Sequence, residues 1–163
     1  MSFNPDKFER AKFEARTKVM TLFKDEKGVV SESALSECFD EGSDATWTVR
    51  GLSASELHRA MEAGSRQKTL GKVLQSIADN SEGVAAAKKI LGFTGKETPG
   101  DIAKRIEMLV QGSVDPVMTL PQAVKLAENF PIEFYQLTNE ITELTGMGFE
   151  HAKPQAALQK MTV

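Results

Sequence analysis

The 163-residue chain is poor in reactive and ligating side chains: one cysteine (Cys38), one tryptophan (Trp47), one tyrosine (Tyr135) and two histidines (His58 and His151). A lone cysteine excludes an internal disulfide framework and suits a reducing compartment. Neither histidine has a second ligand at helical spacing, so no metal site and no cofactor are expected. No apolar run approaches the roughly 18 residues of a membrane span. The opening Met1-Ser2-Phe3-Asn4-Pro5-Asp6 has neither the basic start nor the apolar stretch of a signal peptide. No membrane partner is expected, and the expected location is the cytoplasm. Charge of one sign is lacking as well: 20 Lys+Arg stand against 23 Asp+Glu, a formal net charge of −3. That balance gives nucleic acid no electrostatic reason to bind. What is present is an ordinary globular composition, 40% hydrophobic and 26% charged. The length fits one domain, or one domain plus an appendage, with a core of its own.

Punctuation is clear after residue 51. Ser53-Ala54-Ser55-Glu56 reads as a capping box, with Leu52 and Leu57 placed as its hydrophobic staple. The helix it opens is expected to run to about Arg66. Leu70, Val73, Leu74 and Ile77 repeat at i, i+3, i+4, i+7 and predict a second helix. A third is expected from about Glu82 to Leu91, stopping at Gly92. Thr98-Pro99 predicts a cap followed by a first-turn proline. The helix beyond it has Ile102, Ile106, Leu109 and Val110 on one face and ends at Gly112. Thr119-Leu120-Pro121-Gln122 is a second capping box. Pro131 divides a helix at about 120–129 from one at about 132–145, which closes at Gly146. The first 50 residues are different. Alternation over Phe13–Thr21 predicts a strand at about 13–23, paired with Thr46–Arg50. Residues 5–16 read equally well as helix, and a short helix is expected at about 32–39. The fold class expected is mainly α (α+β): a multi-helix domain with a small N-terminal β element. It divides into a β-containing segment 1–50 packed on the helices, a helical domain 51–148 and a C-terminal tail 149–163.

Candidate chemistry is thin. Gly92-Phe93-Thr94-Gly95-Lys96-Glu97-Thr98 has too few residues between its glycines for a phosphate-binding loop, and Glu97 follows the lysine. A turn between helices is the simpler reading. The acidic run Asp40-Glu41-Gly42-Ser43-Asp44 lacks the ligand spacing of an EF-hand and reads as a solvated linker. His58 is expected on the surface, and Cys38 as a small buried side chain beside Phe39. No catalytic constellation emerges, and no enzyme is expected. Trp47 is expected to pack against the first long helix through Leu52 and Leu57.

One stretch carries more apolar surface than a single buried stripe needs. Phe130, Ile132, Phe134, Tyr135, Leu137, Ile141 and Leu144 fall within residues 130–144, with Tyr135 off the main stripe and expected to project. Two readings stand: a buried hairpin, the commoner use of such a pattern, and a helix that docks a partner or a second copy. On the second reading, Phe130, Ile132, Phe134, Tyr135, Leu137 and Ile141 are the candidate partner-binding residues.

Several segments together resemble a known family. Trp47–Leu57 (WTVRGLSASEL), Arg105–Pro116 (RIEMLVQGSVDP), Phe130–Ile141 (FPIEFYQLTNEI) and Leu144–Gly148 (LTGMG) are similar to recurring phrases of the tail assembly chaperones of long-tailed bacteriophages and prophages. The resemblance implies a small non-catalytic protein of virion assembly. It would coat the tape-measure protein, keep it soluble, help recruit tail-tube subunits and be absent from the finished particle. In many such phages ribosomal frameshifting yields a longer form. The alternatives are a structural tail or head-completion protein retained in the virion, and a phage-encoded regulator. The seven methionines are consistent with an adaptable apolar surface.

Overall fold

The computed structural model describes residues 1–23, 33–77 and 99–153. The fold is mainly helical α+β. In chain order it runs α1 (Pro5–Arg10), β1 (Phe13–Glu14), β2 (Thr17–Thr21), a 3-10 turn (Ala34–Cys38), β3 (Thr46–Arg50) and α2 (Ala54–Ile77). There follow α3 (Pro99–Gly112), β4 (Ser113–Asp115), α4 (Leu120–Asn129), α5 (Pro131–Gly146) and β5 (Glu150–His151). The strands form two small antiparallel sheets, β2-β3-β4 and β1-β5.

Local chemistry sets the helix boundaries. At α2 the Glu56 carboxylate accepts from the Ser53 N–H at 2.8 Å, and the Ser53 hydroxyl accepts from the Glu56 N–H at 3.4 Å. The capping box is therefore formed, with Leu52 buried and Leu57 half-buried. Arg50 adds a two-pronged ion pair to the same carboxylate, at 2.6 and 3.0 Å. These bonds hold Glu56 down at about 2, against an ordinary value of 4.5. At α4 the Gln122 side chain accepts from the Thr119 N–H at 2.9 Å. Pro131 opens α5 as expected, and Gly112 and Gly146 close α3 and α5.

A single cluster joins both ends of the sequence. Leu22, Leu35, Trp47 and Val49 from the N-terminal third pack with Leu109, Leu126, Phe134, Leu137 and Ile141 from the helices. β3 is its hinge: Trp47 and Val49, two residues apart, point to the same buried face, as the period of a strand requires. α5 supplies Phe134, Leu137, Thr138, Ile141 and Leu144, a helical stripe buried along its whole length. Gly112 lets α5 approach the end of α3, since a Cβ there would lie 2.8–2.9 Å from three Ile141 side-chain carbons.

Four expectations need correction. α2 does not stop near Arg66 but continues to Ile77 as one helix. Nothing interrupts it: Arg66-Gln67-Lys68 are good helix formers, and no proline intervenes. Gly64 within it sits where a Cβ would meet the Gly100 carbonyl oxygen at 2.7 Å. The strand expected over 13–23 is broken into β1 and β2, which join different sheets. The sheet also takes in β4, at the end of the helix α3, with a register shift between Thr48 and Val49. Finally, the stretch taken as a tail, 149–163, begins inside the fold. β5 pairs with β1, and Arg16 bonds to the Gly148 carbonyl and the Glu150 carboxylate at 3.1 and 3.2 Å. The helix expected at 82–91, the glycine loop 92–98 and residues 154–163 lie outside the described residues.

Candidate functional site

Among the described residues an open groove of about 610 Å³ lies between the 3-10 turn with its following loop, the start of β3, the β4–α4 connection and α4. Its floor is apolar: Leu35, Phe39, Trp47, Met118, Leu126 and Phe130. They come from several local contexts. The 3-10 turn, opened by Ser33 accepting from the Leu35 N–H at 3.3 Å, places Leu35 and carries the chain into Phe39. β3 delivers Trp47, and the α4 stripe delivers Leu126. Phe130 sits at the joint where α4 ends and α5 begins.

The tryptophan is anchored from behind. Its indole Nε1–H donates to Ser113 Oγ at 2.7 Å, and the Ser113 hydroxyl donates to the Pro116 carbonyl at 2.5 Å. Trp47 is only 4% exposed, so this pairing satisfies a donor that water cannot reach. Phe39 meets its ring edge-on at 6.5 Å, and Phe23 in turn meets Phe39 at 5.8 Å. Trp47 and Leu52 belong to the same core cluster, and the contacts that hold the indole are Ser113 at the start of β4 and the ring of Phe39.

The charged side chains that line the groove are Asp40, Asp44 and Asp115 and one cation, Lys125. All three aspartates are exposed, and none takes part in an ion pair among the described residues. Cys38 also lines the groove and is exposed, which corrects the expectation of a buried thiol; the 3-10 turn directs Leu35 inward instead. No group of three or more His, Cys, Asp or Glu side chains suited to a metal ion occurs among the described residues. His58 is exposed on α2, as expected.

The candidate partner-binding residues on α5 divide sharply. Phe134, Leu137 and Ile141 are at most 1% exposed and belong to the core. They cannot also meet a partner unless the fold opens. Tyr135 does not project either. It is half-buried, edge-on to Phe134 at 5.6 Å and covered by the Arg105 guanidinium 4.7 Å above its ring. The same guanidinium donates to Thr138 Oγ1 and Asn139 Oδ1, each at 2.8 Å. The buried-hairpin reading describes this stretch. Ile132, 70% exposed, stands in solvent, and half-buried Phe130 is the one residue of the set that lines the groove.

A second apolar feature lies at the N-terminus. Phe3, Phe8 and Phe13 form a ladder of rings at 5.5 Å steps, continued by His151 at 5.0 Å. All three phenylalanines are exposed, and α1 buries no residue.

Comparison with known protein families, with curated proteins and with solved structures finds no match. No helix among the described residues is long and apolar enough to cross a membrane.

Proposed function

We propose that this chain is a protein-binding assembly chaperone of the phage tail type, acting in the bacterial cytoplasm before the tail is complete. The observation that carries the reading is the open apolar groove over Trp47. A groove floored by Leu35, Phe39, Trp47, Met118, Leu126 and Phe130 is suited to the apolar face of a helix, which docks through side chains at i, i+3, i+4 and i+7. Methionine and aromatic side chains on the floor adapt to varied anchors, which a client with many similar segments requires. The sequence resemblance supplies the client, the tape-measure protein, and the second partner, the tail-tube subunit. The groove shifts the expected contact from α5 to the face made by the 3-10 turn and α4, with Phe130 common to both.

The test is co-expression of the tape-measure protein with and without this chain. Soluble client only in its presence supports the reading, and equal solubility without it counts against it. Mass spectrometry of finished particles separates a chaperone from a structural component, since the chaperone is absent from them.

A further inference from the structure

We infer that the groove selects a basic amphipathic helix: a client segment with large apolar side chains on one face and Lys or Arg along the flanks of that face. This rests on the protein-binding reading above and adds the chemistry of the segment that is bound. The chain as a whole is close to neutral, with 20 basic against 23 acidic side chains, yet the groove is lined by three aspartates against one lysine. The acids are not scattered. Asp40 and Asp44 lie in the loop after the 3-10 turn, and Asp115 ends β4 beside Pro116 and Val117, so two separate stretches of the chain bring acids to the groove. None has a cationic partner among the described residues, so their charge is open to an incoming one.

The apolar floor and the charged lining divide the work. Apolar anchors gain by leaving water for the surface over Trp47, Met118 and Leu126. Solvated carboxylates add modest affinity but speed encounter and reject like charge. A client helix flanked by Glu or Asp would meet net repulsion from three aspartates against one lysine. One flanked by Lys or Arg finds a net complementary charge, and its binding weakens with salt because the aspartates are exposed.

Trp47 is the only tryptophan and lines the groove, so its emission reports docking there directly. The probe is a peptide about two heptads long repeating Leu-Lys-Lys-Leu-Leu-Lys-Leu, with a control in which every lysine is glutamate. The full chain is titrated with each at low and at physiological salt. The expected result is a saturable change in Trp47 emission with the lysine peptide, at least about tenfold weaker with the glutamate peptide. The variant carrying Asp40→Asn, Asp44→Asn and Asp115→Asn should remove most of that difference, because all three positions are exposed and the fold does not depend on their charge. Equal binding of both peptides, unchanged in the triple variant, overturns the charge selection and leaves the groove as a binding site. Binding of the lysine peptide with no response from Trp47 overturns the selection and places the contact elsewhere. Trp47 emission that depends on protein concentration without peptide makes a second copy the occupant and overturns it too. Rejection of both peptides by a chain that still solubilises its client removes the groove from the account but not the chaperone reading.

Discussion

The Trp47 indole faces two ways, with its ring in the wall shared by core and groove and its N–H tied to Ser113. Ser113→Ala would strand that buried donor and should cost about 1–3 kcal/mol. Trp47→Ala should cost about 3–5 kcal/mol, since nearly the whole ring is buried. Urea unfolding curves measure both, and a change within about 0.5 kcal/mol for either would show that the indole is not held as described. Glu56 offers a test in pH. Its folded value of about 2 lies below the ordinary 4.5, so its contribution is complete above 4.5 and is lost as pH falls toward about 2. Wild-type stability should therefore drop across that window more steeply than that of Glu56→Gln, and parallel profiles would contradict the Arg50–Glu56 assignment. At this scale the sequence revealed the capping pair Ser53–Glu56, because its two partners are three residues apart. It could not reveal Ser113 as the partner of Trp47, sixty-six residues away, or that Arg105 would cover Tyr135. Those pairings exist only once α3, α5 and β3 are packed together.

At the scale of elements, α5 shows how a correct pattern supports two different uses. Its stripe of Phe134, Leu137, Ile141 and Leu144 is visible in the sequence, and the structure spends all of it on the core. Periodicity states which face is apolar and is silent on what covers it. β4 and β5 were illegible because two- and three-residue strands carry no measurable alternation, and their pairing depends on segments far away. The close contact of α3 with α5 is open to measurement. Gly112→Ala would gain from helix propensity alone by up to about 1 kcal/mol. The added Cβ, however, falls against three carbons of the fully buried Ile141. Overpacking should win, with a net loss of about 1–3 kcal/mol. A stabilised variant would mean that Ile141 has room to move. α1 stands at the opposite extreme: Phe8→Ser should alter stability by no more than about 0.5 kcal/mol, because the helix buries nothing.

At the scale of the whole molecule, the groove is assembled from three stretches that are separate in sequence: 35–47, 115–118 and 122–130. None of them stood out locally. The acidic run 40–44 read as a linker and Trp47 as core, and nothing in the sequence singled out Met118. Only the fold brings them round one concavity, so the helical class was legible and the candidate site, apart from Phe130, was not. The central claim is that a client helix lies in this groove. Cys38, exposed at the groove and the chain's only thiol, gives direct access to it. The decisive measurement is photo-crosslinking of the client complex with a short thiol-linked crosslinker on Cys38. Its comparison is the same reagent on Glu9→Cys in a Cys38→Ser background, where α1 is exposed. The account predicts a covalent adduct with the tape-measure protein from position 38 and little from position 9. A complex that forms normally but crosslinks from position 9 and not from position 38 would contradict it.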